Sequence, residues 1–150
     1  MTELAADARG RAWEAYFTTT ARLSTAIEAA LKAECSVSLP EYNVLLQVHR
    51  AGSEGIRPSA LAREVVFSPS RLTHTIRRLV ERGHVVRTSC QGDGRGGIVR
   101  LTDDGERAYR AAAEVQRAVI RRYALAGLSD EEIRVLNRVF TRIAGRLDED

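Results

Sequence analysis

The chain has few of the residues that indicate disulfide-rich or membrane proteins. Its 150 residues include only two cysteines, Cys35 and Cys90, and three prolines. Two cysteines are too few for a disulfide framework. No apolar run approaches the roughly 18 residues of a membrane-spanning helix, and the polar start MTELAADARGR shows no secretory signal. The sequence therefore predicts a cytoplasmic globular protein, large enough to bury a core as one domain or compact unit.

Lysine is nearly absent, and the positive charge lies in one segment. Of 23 basic residues, 22 are arginine. Residues 71–100 carry seven arginines against two acidic residues, a net charge of +5, whereas residues 1–70 and 101–150 each carry −1. A localised basic segment in a near-neutral chain is typical of a polyanion-binding surface, most often for nucleic acid. The alternative is a solvated arginine-rich surface, and charge alone does not separate the two.

Apolar spacing, together with the N-cap residues Ser68, Thr102 and Ser129, predicts a mainly helical chain with one β-hairpin. Helices are predicted over residues 5–34, from Pro40 to near Gly52, from Pro58, over Pro69–Arg82, from Thr102 to about Ala126, and after Ser129. Two short β-branched runs around a turn with four glycines predict the hairpin, over residues 84–101. A helix-turn-helix followed by a hairpin is a winged helix.

The helix Pro69–Arg82 has a polar face suited to reading DNA. On a helical wheel its apolar side centres on Ile76 and includes Val80, while Ser70, Arg71, His74, Arg78 and Glu81 fall on the far side. The N-terminal residues of a recognition helix contact base edges in the major groove. The alternative is an ordinary solvated face.

The hairpin tip strengthens the nucleic-acid interpretation. It holds Asp93 and Arg95 among glycines. Such a tip is thin enough to enter a minor groove, whose negative potential attracts arginine. Asp93 is placed to hold the Arg95 guanidinium, and the alternative is a simple exposed turn.

Three motifs follow one another between residues 79 and 105. They are LVERGHVVR at 79–87, DGRG at 93–96, and LTDDG at 101–105 after a short strand. Together with their flanks, residues 57–107, they resemble the MarR family of bacterial transcriptional regulators. The flanking helices also resemble the all-helical dimerisation region of that family. The resemblance therefore covers nearly the whole chain.

The resemblance implies a fold that is mainly α with a small β-hairpin wing. A winged helix-turn-helix lobe is expected over residues 39–102, between dimerisation helices in 1–38 and 103–150. It further implies a homodimeric transcriptional repressor that binds double-stranded DNA and needs no cofactor. Because a two-fold symmetric protein reads a two-fold symmetric site, the operator is expected to be an inverted repeat. The implied DNA contacts are Ser68, Ser70, Arg71, His74, Thr75, Arg77, Arg78, Asp93 and Arg95. His74 departs from the arginine common at its position, so the operator sequence cannot be inferred by analogy.

The last helix supports the dimer independently of the resemblance. Its apolar residues recur at alternating steps of three and four, which is the seam of a helix that packs along a partner helix. The seam consists of Ile133, Leu136, Phe140, Ile143 and Leu147.

Effector sensing has two candidate forms. A small-molecule pocket is expected near Trp13, Tyr16, Phe17 and His49, although the favoured interpretation of these aromatic residues is core or dimer interface. Oxidant sensing by Cys90 or Cys35 is the alternative, and it is disfavoured at Cys35 because Glu34 and the end of the helix oppose a thiolate. The three histidines show no metal-ligand spacing.

Two other classes of protein remain to be compared with a DNA-binding regulator. The sequence has no P-loop, nucleophile elbow, zinc-protease or dinucleotide motif, so an enzyme is not predicted. A winged helix that binds another protein is the alternative, and the +5 segment with Arg95 at its tip argues against it.

Overall fold

The computed structural model describes residues 7–88 and 97–149. In this part of the chain, the elements follow in the order α1 (Ala8–Cys35), α2 (Leu39–Ala51), α3 (Pro58–Val65), α4 (Pro69–Glu81), β1 (Val85–Thr88), β2 (Ile98–Leu101), α5 (Asp103–Ile120) and α6 (Asp130–Leu147). A short 3₁₀ turn follows α2, and α5 continues as one π-helical turn over Arg121–Leu125. The predicted fold, mainly helical with one hairpin, is confirmed. Among the described residues, no helix is long and apolar enough to span a bilayer.

Except for α3, the α-helices begin where a side chain accepts a hydrogen bond from a backbone N–H of the first turn. Ser68 accepts a hydrogen bond from Arg71 N at the start of α4, and Thr102 accepts one from Gly105 N at the start of α5. Ser129 forms a capping box with Glu132 at the start of α6. These three caps are among those that the sequence predicts.

One core joins the helix-turn-helix lobe to the flanking helices. Leu31 of α1, Leu45 of α2, Leu61 of α3 and Leu79 of α4 are fully buried in it. The strands β1 and β2 pair antiparallel, with Val85 opposite Leu101, and Ile56 extends the pairing by a single bridge to Val99. The most extensive helix–helix packing is between α1 and α5. The lobe is therefore held between two elements far apart in sequence.

The last helix, α6, contributes no buried residue to this core. Its exposed apolar side chains range from 39% exposed at Val139 to 73% at Leu147. Tyr16 of α1 reaches α6, with its ring centroid 5.5 Å from that of Phe140, and Phe17 beside it is exposed. We call the exposed large apolar residues of these two helices the α1–α6 surface. They are Trp13, Tyr16 and Phe17 of α1 and Val135, Leu136, Val139, Phe140, Ile143 and Leu147 of α6. A monomer rarely leaves such a surface in water.

Candidate nucleic-acid interface

The turn between α3 and α4 fixes how α4 leaves the lobe. Val66 ends α3 in the left-handed conformation, with φ of 55°, and its side chain is exposed. Phe67 N then donates to Ala62 O, and Ser68 caps α4. The chain therefore turns between the two helices over Val66, Phe67 and Ser68, and the start of α4 lies at the surface.

One face of α4 is buried and the other is polar and exposed. Leu72, Ile76 and Leu79 enter the core. The exposed side chains of the opposite face are Ser70, Arg71, His74, Arg77 and Arg78. The helical wheel placed these two faces as the structure has them, except that Val80, expected inward, is exposed.

Thr75, which was also expected to contact DNA, does not lie on the exposed face of α4. It is 5% exposed, and its hydroxyl donates to Arg71 O at 2.9 Å. A threonine in a helix commonly turns its hydroxyl back to the carbonyl four residues earlier. This bond satisfies the side chain inside the lobe.

The exposed arginine and histidine side chains of α4 are held by neighbours on the same surface. The Arg71 guanidinium lies 4.3 Å from the centroid of the Phe67 ring, a cation–π contact. Arg77 Nη2 lies 3.0 Å from His74 Nδ1. Because a guanidinium can only donate, Nδ1 accepts and the ring proton resides on Nε2. His74 therefore presents a hydrogen-bond donor to an incoming acceptor.

Arg78, another residue expected to contact DNA, lies beside a buried carboxylate of α2. Its Nε lies 3.3 Å from Glu41 Oε1, and Arg82 Nη1 lies 3.3 Å from Glu41 Oε2. Glu41 is not among the residues that the sequence predicts for this site. The available signal was the capping box of Ser38 and Glu41, three residues apart at the start of α2.

The base of the hairpin is rigidly tied to the lobe. Arg100 Nε donates to Ser53 O at 2.9 Å, and its Nη1 donates to the Thr88 hydroxyl. One arginine of the +5 segment is thus used to hold the hairpin. The predicted minor-groove residues, Asp93 and Arg95, lie outside the described residues.

The structure does not bring together the four residues expected near an effector pocket. Trp13 packs against Tyr16 and Phe17 on the exposed side of α1. His49 instead stacks on Tyr109 of α5, with 4.2 Å between ring centroids. The three aromatic residues are exposed and belong to the α1–α6 surface, so they are not core, and their place in a dimer interface stays a prediction.

His49 of α2 contacts the carboxylate of Glu106, which lies on α5. Its Nδ1 lies 2.9 Å from Glu106 Oε2, and Arg110 Nε lies 2.8 Å from Glu106 Oε1. The hydrogen bond from His49, followed by that from Arg110, lowers the pKa of Glu106 below its ordinary range. The cluster joins α2 to the first turns of α5.

The cysteine and metal alternatives gain no support from the described residues. Burial, and then the charge of Glu34, raises the pKa of the half-buried Cys35 thiol, which disfavours the reactive thiolate. Cys90 lies outside the described part of the chain. Within residues 7–88 and 97–149, no three potential ligands group as a metal site would require.

Known proteins resemble this chain in both architecture and sequence. Residues 36–96 match the model of the MarR family. PecS, an HTH-type transcriptional regulator of Dickeya dadantii (strain 3937), is 28% identical over 133 residues, which cover 86% of this chain and 80% of PecS.

Two solved structures from Streptomyces coelicolor match nearly end to end. AbsC, a MarR family transcriptional regulator, is 29% identical with a TM-score of 0.86, covering 96% of this chain and 97% of AbsC. Sco3205, a MarR family transcriptional regulator crystallised with DNA, is 25% identical with a TM-score of 0.87, covering 94% and 92%. Over residues 36–96 this chain is similar to the MarR family, and over nearly its whole length its fold resembles that of the two MarR family transcriptional regulators.

Proposed function

We propose that this protein is a homodimeric repressor that reads an inverted-repeat operator with α4. The observation that carries the proposal is the exposed face of α4, where Ser70, Arg71, His74 and Arg77 offer donors to base edges and phosphates. Ser68 stands beside them at the cap of the helix. The DNA complex of Sco3205 supports this use of the fold.

The α1–α6 surface supports the dimer. We assign residues 1–38 and 103–150 to dimerisation and residues 39–102 to DNA binding. Two lobes related by a two-fold axis read half-sites roughly 10 base pairs apart, about one turn of the duplex. The α4 helices of the two copies then enter successive major grooves on one side of the DNA.

The wing completes the proposed interface. On the sequence alone, Arg95 enters the minor groove and Asp93 holds its guanidinium. This contact follows groove width and charge more than base identity.

A small-molecule effector is a separate part of the proposal. A cavity of about 560 Å³ lies between α1, the end of α5 and α6, with Arg22 as its charged side chain. Its other lining residues are Thr19, Thr20, Leu23, Ala26, Tyr123, Ala124 and Leu136. This lining suits an apolar molecule with one anionic group. Because α6 lines the cavity, a bound ligand would act on the dimer and so on the spacing of the two α4 helices.

Selection of bound sequences from a random duplex pool, followed by titration of variants, tests the function. Arg71→Ala should weaken operator binding by about 1–3 kcal/mol and binding to scrambled duplex much less, because a base contact is lost. His74→Ala should act in the same direction. Arg117→Ala is the matched control, since this arginine pairs with Glu114 on α5, away from α4.

Two outcomes would contradict the proposal. If Arg71→Ala and His74→Ala both leave the operator preference unchanged, α4 is not the reader. If the wild-type protein shows no salt-dependent shift of any duplex, the winged helix binds a protein instead.

A further inference from the structure

Glu41 is the only charged side chain that is buried among the described residues. It lies in the first turn of α2 and is 2% exposed. A buried carboxylate is strongly unfavourable unless charges and hydrogen bonds compensate it. The groups that compensate the charge of Glu41 therefore indicate its role in the fold.

Arg78 of α4, Arg82 directly after α4 and one backbone N–H compensate this carboxylate. Oε2 accepts from Ser38 N at 2.8 Å and lies 3.3 Å from Arg82 Nη1. Oε1 has Arg78 Nε at 3.3 Å and no hydrogen bond of good geometry within the described residues. Arg78 is thus the main neutralising partner of this oxygen.

The same network reaches the end of α1. Arg82 Nη1 also donates at 2.8 Å to the carbonyl of Ser36, the residue that caps α1. The end of α1, the start of α2 and the last two turns of α4 therefore meet at one carboxylate. The proposed dimerisation helix and the proposed reading helix are connected through it.

We infer that Glu41 is a positioning residue for DNA recognition, which rests on the proposed function of α4. It fixes the C-terminal half of α4 against the lobe, and it holds the exposed guanidinium of Arg78 away from the phosphates. Phosphate contacts add affinity for every sequence alike. An arginine retained by Glu41 therefore favours the operator over other DNA.

Salt dependence separates this role from a merely structural one. The slope of log K against log salt becomes steeper by about 0.9 for each DNA phosphate that a basic side chain neutralises. Arg78→Gln in the wild-type background should leave the slope unchanged, because Glu41 already holds that charge. Arg71→Gln is the same change on the same helix, and it should lower operator preference.

Glu41→Gln keeps an acceptor for Ser38 N but removes the charge. It should steepen the slope by about 0.9 and lower the ratio of operator to scrambled affinity, because Arg78 then reaches a phosphate. Adding Arg78→Gln to Glu41→Gln should reverse the steepening. The two substitutions are therefore expected to be strongly non-additive.

Ser38→Ala removes the other half of the same capping box without changing charge. It should lower stability and leave the slope unaltered. The same steepening in Ser38→Ala would overturn the inference, since loss of the cap would then be the cause.

The inference is also overturned if Arg78→Gln alone flattens the wild-type slope by about 0.9, a result that needs no Glu41 variant to fold. Additive effects of the two substitutions would overturn it as well. If the wild-type protein still prefers its operator over scrambled DNA, only the inference about Glu41 fails. If the wild-type protein shows no such preference, the proposed function fails as well.

Discussion

At the scale of the residue, His84 has an unsatisfied nitrogen. In the turn between α4 and β1, its Nδ1 is buried and has no hydrogen-bond partner among the described residues. Burial, and then the positive charge of Arg82, lowers the pKa of His84 below its ordinary value of 6.5, against weaker opposing effects of Glu41 and Asp104. Protonation of this ring therefore opposes the folded state.

This lowered pKa predicts a loss of stability in mild acid. The unfolded chain binds the proton more readily, so the free energy of unfolding should fall as pH drops below about 6.5 and stay level above it. His84→Gln should remove this part of the pH dependence. Denaturant unfolding at about pH 7.5 and about pH 5.5 measures it. An equal acid-induced loss in both proteins would contradict the assignment to His84.

At the scale of the element, the start of α5 is locked to the end of α4. The Thr102 hydroxyl accepts from Gly105 N at 2.9 Å and donates to Gly83 O at 2.6 Å. Thr102 N donates to His84 O, and a Cβ on Gly105 would overlap that same carbonyl oxygen. The threonine and glycine of the LTDDG motif thus have a packing reason, and the hairpin and α5 are held together.

Gly105→Ala should therefore be strongly destabilising. Because the obstacle is backbone, α5 must shift, and we expect a loss of about 1–3 kcal/mol or more in the free energy of unfolding. Gly145→Ala in α6 is the matched control, since a Cβ there meets nothing within 4 Å. Alanine should not destabilise at that position, because it favours helix over glycine. Equal effects of the two substitutions would show that space at Gly105 is not the determinant.

Local signals predicted the elements well, because caps and turns act within a few residues. Ser68, Thr102 and Ser129 start the helices expected of them. The site was predicted less completely. A helical wheel cannot show that Thr75 turns back to its own helix or that Arg78 meets a carboxylate from α2.

The contacts between helices could not be predicted from the sequence, because local signals act only within a few residues. His49 and Trp13 were grouped as aromatic candidates, but the fold directs His49 to α5 and leaves Trp13 on the exposed side of α1. Spacing along a chain determines which residues share a helix face. It does not determine which helices meet.

At the scale of the whole molecule, the α1–α6 surface is the basis of the proposed dimer. Phe140→Asp should abolish the dimer, because a carboxylate would be buried in an apolar interface. The melting temperature of the wild type should rise with protein concentration, since association stabilises the folded chain. Light scattering at micromolar concentration checks the mass, with Arg134→Asp on the same helix as control. A monomeric wild-type protein would refute the proposed assembly.

The packing of α1 against α5 also has a consequence for how the protein is made. The first helix leaves the ribosome before the whole lobe that lies between it and its main packing partner. At about 5–20 residues per second, the synthesis of that lobe takes several seconds. For that time α1 lacks its main packing partner, while α2, α3 and α4 have already been made. The newborn chain thus completes the proposed DNA-reading lobe before α6, the second helix of the α1–α6 surface, has been made.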